Sequence, residues 1–367
     1  MPPILFLLPD LAYRGHARQA SLLASSLPGT RFAVSGFSLN GSGPFSASFQ
    51  RAGAPIHGSG GQRFLDLQGV LFLRRRLTLN RPSLIHAWGL DSLRALRWAT
   101  LLKRSLLPPL VVSLHSTVLK KKRLRWIDRR LLAGARAIVV ANEAERSAFL
   151  AAGIPAAKLR VVRPGVPLPD SPSDGTAFRL SLGIPADARL LMGVGHFNAP
   201  DRFFEAVWAF EFLQFVNPEL KLVLIGEGPF RDRPGRHFRS ARPSEESVFF
   251  LGERDDAARL IGLADIAVVP HRRSGGTFAI LEAMAAGGAV VATQLPHLAN
   301  LIRSGETGLL VPPADSTAVA RAIRRLLQDD ELRRRIGMAA RSAVEADFTL
   351  AAMTARFAEL YDEILLR

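Results

Sequence analysis

The 367-residue sequence contains no cysteine. Disulfide bonds, thiolate metal sites and a cysteine nucleophile are therefore excluded, because each of them needs a thiol group. A chain without thiols suits a reducing compartment, and we expect a cytoplasmic location.

The sequence also lacks the run of about 20 apolar residues that a membrane-spanning helix requires. Its 48% hydrophobic and 22% charged residues are typical of a soluble globular protein. Met1–Leu8 is apolar, but it has no basic start, and Pro9 and Asp10 follow where a signal peptide would have a small-residue cleavage site. We interpret this segment as a buried strand.

Acidic residues are scarce in the first part of the chain. Residues 1–167 contain 25 Lys/Arg and 6 Asp/Glu, a balance of +19, whereas the remaining residues contain 23 and 26, a balance of −3. This asymmetry indicates an anionic partner for the first part: nucleic acid, an anionic membrane surface or a phosphate-bearing substrate. A generally Arg-rich proteome is the alternative, although it would have made the second part basic as well.

Short apolar segments alternate with helical patterns, which predicts an α/β protein with parallel sheets covered by helices on both faces. The predicted strands are Ile4–Leu8, Phe32–Phe37, Leu84–Trp88, Leu110–Leu114 and Ala137–Ala141 in the first half, and Leu190–Val194, Leu220–Ile225, Val248–Leu251, Ile266–Val269, Ala289–Ala292 and Leu309–Val311 in the second. The Pro- and Ser-rich segment Arg163–Asp174 reads as a linker. We expect domains 1–167 and 168–349 facing across a cleft, and a final amphipathic helix in 350–367.

Ligands of open parallel sheets bind beyond the carboxyl ends of the strands. Arg14 and Gly15 follow the first predicted strand and precede a helix, whose amino end would favour a phosphate. An ordinary turn glycine explains Gly15 equally well.

The segment Asp265–Thr293 reads as strand, glycine loop, helix and strand. Its loop residues Gly275, Gly276 and Thr277 would direct backbone amides out of a helix start, which makes a second anion site. Glu282 lies further along the same helix. Its carboxylate could accept two hydrogen bonds from a ribose, or it could be an ordinary solvated glutamate.

This segment resembles the donor site of retaining glycosyltransferases of family 4, which have the GT-B fold of two Rossmann-like domains. Further motifs match the family in the same order along the chain: Tyr13–Gln19, Leu110–Thr117, Ala137–Arg146, Lys158–Val166, Val223–Pro229, Val248–Asp256 and Gly305–Asp315. The resemblance implies sugar transfer from a nucleotide-sugar co-substrate with retention of configuration. It also implies a final helix that crosses back to the first domain, where packing on the second domain is the default.

The resemblance implies roles for single residues. Glu282 matches the glutamate that holds the nucleotide ribose, Gly15 the glycine beside the donor phosphates, and His115 the histidine near the transferred sugar. Gly252 and Arg254 match the loop near the base. Without the resemblance, His115 would read as a core histidine bonded to backbone. The sequence has no Asp-x-Asp motif, so we expect neither a divalent metal nor a bound cofactor.

Three positions depart from the family pattern. Ser274 stands where the first signature glutamate belongs, and His196 and Asp201 stand where an arginine and a lysine neutralise the diphosphate. An anion at Asp201 would repel that ligand unless another base such as Arg202 reaches it. The chain is therefore either an enzyme that holds its donor differently or a non-catalytic paralogue that binds sugar nucleotides.

A basic stretch with an interleaved aromatic residue follows the His115 segment. It contains Lys120, Lys121, Lys122, Arg123, Arg125 and Trp126. This composition suits an anionic membrane surface, nucleic-acid phosphates or a solvated helix face. Because the chain has no recognisable recognition-helix, RNA-platform or finger motif, we do not expect specific nucleic-acid binding. We expect a lipid-linked or envelope glycan acceptor and a peripheral position on the inner face of the membrane.

Overall fold

The computed structural model describes residues 1–12, 14–27, 29, 31–58, 67–101, 107–114, 125–169, 175–195, 197, 203–228, 247–271, 275–298 and 300–366. The chain forms two compact units. The first comprises residues 1–165 and 350–367, and the second comprises residues 166–349.

The first unit contains a parallel sheet of seven described strands. These are β1 (Pro3–Leu8), β2 (Ala33–Ser38), β3 (Ile56–Gly58), β4 (Leu84–Trp88), β5 (Leu110–Ser113), β6 (Ala137–Val140) and β7 (Leu159–Val161), in the spatial order β3-β2-β1-β4-β5-β6-β7. The described helices that precede the second unit are α1 (Gly15–Ser26), α2 (Ser46–Arg51), α3 (Leu67–Asn80), α4 (Gly89–Ala99), α5 (Trp126–Leu132) and α6 (Glu143–Ala151).

The second unit contains a parallel sheet of six described strands. These are β8 (Leu190–Val194), β9 (Lys221–Ile225), β10 (Val248–Phe250), β11 (Ile266–Val269), β12 (Ala289–Thr293) and β13 (Leu309–Val311), in the order β10-β9-β8-β11-β12-β13. Its described helices are α7 (Thr176–Ser181), α8 (Phe204–Gln214), α9 (Ala257–Ile261), α10 (Thr277–Ala285), α11 (Ser316–Gln328) and α12 (Asp330–Asp347). A last helix, α13 (Leu350–Leu365), belongs to the first unit.

The eleven predicted strands are confirmed to within a residue or two at each end, and so is the α/β class with two Rossmann-like sheets. Two strands were not predicted, β3 and β7. Both are three residues long and lie at the two ends of the first sheet. Only one face of such a strand has to be apolar, so three residues give too short a pattern to be recognised.

The strands form because continuous apolar runs satisfy a sheet that is buried on both faces. β4 and β12 are buried along their whole length. Aspartates cap the amino ends of two helices of the second unit. Asp315 accepts a hydrogen bond from the amide of Ala318, and Asp329 accepts one from the amide of Leu332, both at 2.8 Å. These caps satisfy amides that have no partner inside α11 and α12.

α13 is packed into the core of the first unit by an aromatic cluster. Tyr361 and Phe357 are fully buried, and both rings lie against the imidazole of His86 on β4. His86 Nδ1 lies 2.6 Å from the hydroxyl of Tyr361, and Nε2 lies 2.7 Å from the hydroxyl of Ser113 on β5. The last helix is therefore tied to the sheet by a buried polar pair as well as by apolar packing.

The predicted apolar stripe on this helix comprises Leu350, Met353, Phe357, Leu360, Tyr361, Ile364 and Leu365. Five of these side chains are buried, whereas Leu350 and Leu365 are half-buried. Nothing in the sequence pattern indicated His86 as their polar partner, because it lies in a strand far away along the chain. Two ion pairs border the cluster, Arg160 with Glu363 at 3.3 Å and Arg31 with Asp362.

Burial lowers the pKa of His86 to about 3. In the unfolded chain this imidazole takes up a proton below about pH 6.5, whereas the folded protein keeps it neutral until the pH is near 3. The contribution of His86 to the unfolding free energy is therefore fully present above pH 6.5, and it decreases as the pH falls toward 3. Relative to a His86→Gln variant, wild type should lose about 2 kcal/mol of unfolding free energy between pH 7 and pH 5.

Urea unfolding of both proteins at a series of pH values measures this difference, and the other histidines cancel in the comparison. A difference in unfolding free energy that does not change with pH would show that His86 does not remain neutral in the folded protein.

Candidate functional site

The strand order of the second sheet reverses at β8. From β8 the chain proceeds to one side through β9 and β10, and it then returns to the other side of β8 with β11. The connections after β8 and β11 therefore leave the sheet in opposite directions and open a crevice at its carboxyl edge, which is where ligands of such sheets bind.

Glycines bring the loops after β8, β9 and β10 into direct backbone contact. The amide of Gly195 donates to the carbonyl of Ile225 (3.0 Å), and the amide of Gly226 donates to the carbonyl of Gly252 (2.8 Å). Gly226 has a φ of 141°, and a Cβ atom at this position would collide with the carbonyl oxygen of Gly195. This part of the edge consequently presents closely packed backbone in place of side chains.

A further glycine sets the start of α10 against the end of β11. Gly276 has a left-handed φ of 84°, and a Cβ atom here would lie 2.5 Å from Val269 Cγ1 and 2.6 Å from His271 Cδ2. His271 is only 2% exposed, and its ring packs edge-on against Phe203 with 6.0 Å between centroids. The helix therefore begins directly on a buried histidine.

The amino end of α10 points out of this carboxyl edge. Thr277 is its first residue, and its first turn contains no acidic side chain and no side-chain cap. The first amides of a helix lack partners inside the helix, and together with the helix dipole they favour an anion. With Gly275 and Gly276 before it, the turn offers backbone donors to a phosphate group without steric hindrance.

Glu282 lies five residues after Thr277 on the same helix. It is 9% exposed and lies among the buried residues Ile280, Leu281 and Met284. The alternative that it is an ordinary solvated glutamate is therefore wrong. A carboxylate in such surroundings must be compensated by hydrogen bonds or charge. The ribose contact itself stays a prediction.

Arg254 follows β10 at the same edge of the sheet. Its guanidinium donates two hydrogen bonds to Asp256, at 2.8 and 3.1 Å. The hydrogen bond from Arg254, reinforced by Arg259, outweighs burial and holds the pKa of Asp256 below its ordinary value. Asp256 thus already balances part of the positive charge of Arg254, which the sequence analysis expects to contact the donor.

In the first unit, the loop after β1 carries its own charge cluster. The carboxylate of Asp10 accepts a hydrogen bond from the amide of Ala12 (3.1 Å) and lies 3.7 Å from Arg14 Nε and 3.3 Å from His16 Nε2. Burial alone would raise the pKa of Asp10, but these neighbours lower it. Gly15 is the first residue of α1, as the sequence indicates. Asp10 keeps this helix start from being purely cationic, a feature that the sequence analysis did not identify.

Several predicted residues lie outside the described part of the chain. They are His115, His196, Asp201, Arg202, Ser274, Lys120, Lys121, Lys122 and Arg123. Arg125 and Trp126, the remaining members of the predicted basic patch, begin α5, and Trp126 is 74% exposed. Arg254, Gly275, Gly276, Thr277 and Glu282 all belong to the loops and the helix at the carboxyl edge of the second sheet.

Sequence reasoning missed His271 and Phe203, on which the start of α10 rests. It also gave no role to the glycines at 195 and 226, although Gly226 lies within the family-like motif Val223–Pro229. The other signal is a glycine within two residues of a predicted strand end, which is common in parallel sheets and is not specific.

The described residues contain no group of three His, Cys, Asp or Glu side chains that could hold a metal ion. Within the same residues, no helix combines the length and apolar character needed to cross a bilayer.

Both halves of the chain match models of known protein families. Residues 13–169 match the model of Glycosyltransferase Family 4, and residues 189–329 match the model of Glycosyl transferases group 1. Each half is thus similar to a part of known glycosyltransferases.

Two curated relatives illustrate the range of proteins to which the chain is similar. The alpha-D-kanosaminyltransferase of Streptomyces kanamyceticus is 26% identical over 82% of both chains. The phosphatidyl-myo-inositol mannosyltransferase of Mycolicibacterium smegmatis is 31% identical over 41% of this chain and 39% of its own length. The chain spans about half the length, or less, of several curated relatives that it matches.

Among solved structures, Anabaena HepE in complex with UDP and glucose superposes with a TM-score of 0.81. It is 22% identical, and the match covers 99% of this chain and 100% of that one. At this identity the likeness shows the fold, which is GT-B.

Gly276→Ala should destabilise the protein more than a glycine substitution that is limited by backbone strain alone. Gly305 is the matched control, because it has a φ of 87° but nothing within 4 Å of an added Cβ atom. We expect Gly305→Ala to cost about 1 kcal/mol of unfolding free energy and Gly276→Ala about 1–3 kcal/mol more, because Val269 and His271 must shift. Chemical unfolding of the two variants checks this, and equal losses would contradict the packing described for Gly276.

Proposed function

We propose that the protein transfers a sugar from a nucleotide-sugar donor to an acceptor, with retention of configuration and without a metal ion. The observation that carries the proposal is the glycine-lined carboxyl edge of the second sheet, where the amino end of α10 and the buried Glu282 belong to one helix. The two family models support it. So does the binding of UDP and glucose by the similarly folded Anabaena protein.

The donor would bind with its diphosphate at the turn formed by Gly275, Gly276 and Thr277. This turn supplies backbone amides and a positive dipole end, and no acidic residue opposes them in the first turn. Glu282 lies on the same helix, beyond that turn, and would accept hydrogen bonds from the ribose hydroxyls. One rigid helix would thus fix both the phosphate and the sugar of the nucleotide.

For this reaction the protein would have to stabilise the negative charge that develops on the departing nucleoside diphosphate. Oriented amides at a helix start do this without reorganising during the reaction, and a cation such as Arg202 would add to it. His115 would lie near the transferred sugar. Orientation of donor and acceptor supplies the remainder of the rate enhancement.

For the acceptor we propose a lipid-linked or envelope glycan, reached from the cytoplasmic face of the membrane. Trp98 and Leu101 at the end of α4 and Trp126 on α5 are exposed, and the buried Asp128 joins the two helices through its ion pair with Arg94 at 2.8 Å. Exposed aromatic side chains within a strongly basic unit suit an anionic bilayer surface. If Trp126→Ala sediments with anionic vesicles to the same extent as wild type, this part of the proposal is wrong.

A second candidate is a sugar-nucleotide-binding protein without transferase activity. It is favoured by Ser274, His196 and Asp201, which replace the charged residues that the family uses on its donor. Both candidates require an intact nucleotide site, so only turnover separates them.

A nucleotide that binds the folded protein must raise its melting temperature. We expect one of UDP, GDP or ADP, or a corresponding sugar conjugate, to raise it by several degrees at millimolar concentration. Glu282→Ala should abolish the shift. Glu306→Ala should leave it intact, because Glu306 is exposed and precedes β13 at the opposite edge of the sheet.

The absence of any shift at millimolar nucleotide would refute both candidates. If one nucleotide does bind, release of the nucleoside diphosphate from its sugar conjugate in the presence of lipid-linked acceptors supports the transferase. Binding without such release, across the acceptors tried, would favour the non-catalytic protein.

A further inference from the structure

Helix α8 is apolar on both its faces. Its inner face, with Ala206, Phe210 and Leu213, is packed into the core of the second unit. A surface helix normally has a polar side opposite its buried stripe, and a helix that is apolar all round is covered on both sides.

The outer face of α8 carries a continuous aromatic ridge. Phe204, Trp208 and Phe212 recur every four residues and so lie above one another on one side of the helix, and Phe215 and Val216 extend the ridge beyond its end. All five are exposed: Phe212 to 56%, Phe215 to 78%, Val216 to 69%, and Phe204 and Trp208 to 38% and 37%. We call these five residues the α8 ridge.

The ridge is also ordered internally. The rings of Trp208 and Phe212 are stacked with 6.0 Å between their centroids and only 3° between their planes. Two large side chains held in this way lose little rotamer freedom when a partner covers them, which is a property of residues at the centre of protein interfaces.

The size of the ridge fits a protein interface. Taking about 200 Å² for a fully exposed aromatic side chain, its exposed area is about 500 Å². Two copies meeting through this surface would bury about 1,000 Å² from the ridge alone, before any rim residue is counted, which reaches the size of a specific interface. Isolated exposed apolar side chains need no such explanation, but a contiguous patch of this extent does.

The charge of the helix indicates what covers the ridge. α8 contains two glutamates, Glu205 and Glu211, and no lysine or arginine. The helix therefore offers no basic side chain that would attract an anionic membrane or a nucleic acid. A second copy of the same surface requires no cation, and an apolar ridge is complementary to itself across a two-fold axis.

We propose that the protein forms a homodimer in which the α8 ridges of two copies pack against each other. In a two-fold arrangement the stacked pair Trp208 and Phe212 lies near the axis and meets the same pair of the other copy. The contact involves residues of the second unit alone. It does not depend on the proposed transferase activity.

Sedimentation equilibrium of the full chain tests the proposal, with Phe212→Glu as the variant. Wild type should be a dimer at micromolar concentration, and Phe212→Glu should weaken association on the order of 100-fold or more, because two carboxylates would be buried at the axis. Leu180→Glu is the matched control, since Leu180 is 75% exposed on α7 of the same unit. It should remain a dimer.

Wild type that stays monomeric at about 100 µM, well above the dissociation constant of a specific dimer, or a Phe212→Glu variant that dimerises as wild type does, would overturn the proposal. A monomeric wild type that sediments with neutral phosphatidylcholine vesicles would also overturn the proposal, provided that Phe212→Glu abolishes this sedimentation. The ridge would then insert into a bilayer.

A second measurement does not depend on how Phe212→Glu folds. The natural chain has no cysteine, so a single Phe215→Cys substitution can be joined by a short bismaleimide only to a second copy. Covalent dimer from Phe215→Cys but not from Leu180→Cys supports the contact. Equal yields from both variants would indicate random collision and overturn it.

Discussion

The backbone contact between the loops after β8, β9 and β10 is the constraint on which the proposed donor site depends. Gly195 and Gly226 approach so closely that no side chain fits between them, and Gly226 in turn donates to the carbonyl of Gly252. A Cβ atom at Gly226 would push these loops apart. The close approach of the loops is possible because the chain has glycine here, and in the same way Gly276 allows α10 to start against His271.

In the proposed donor site, positive potential comes from the backbone. The sequence analysis expects Ser274, His196 and Asp201 where the resembled family has a glutamate, an arginine and a lysine. A helix start supplies positive potential from the backbone, and no substitution of side chains removes it. Under the proposed function, donor binding would therefore not depend on charged side chains at those three positions.

The fold could be predicted from the sequence because parallel strands buried on both faces leave long apolar runs, as in Leu84–Trp88 and Ile266–Val269. The role of Glu282 came from the resemblance to family 4 and stays a prediction. The supporting contacts could not be predicted, since His271 with Phe203 and His86 with Tyr361 join residues that are distant along the chain and carry no pattern. The exposed apolar side of α8 could not be predicted either, because composition alone does not show which apolar residues are buried.

Hydrogen–deuterium exchange of the protein with and without its nucleotide tests the central claim most directly, because it locates the ligand on the fold. The account predicts slower exchange in the segments around Gly195, Gly252 and Gly275–Ile280, at the carboxyl edge of the second sheet. Protection confined to the opposite edge, for example around Glu306 before β13, would contradict it. So would nucleotide binding that slows exchange only in the first unit.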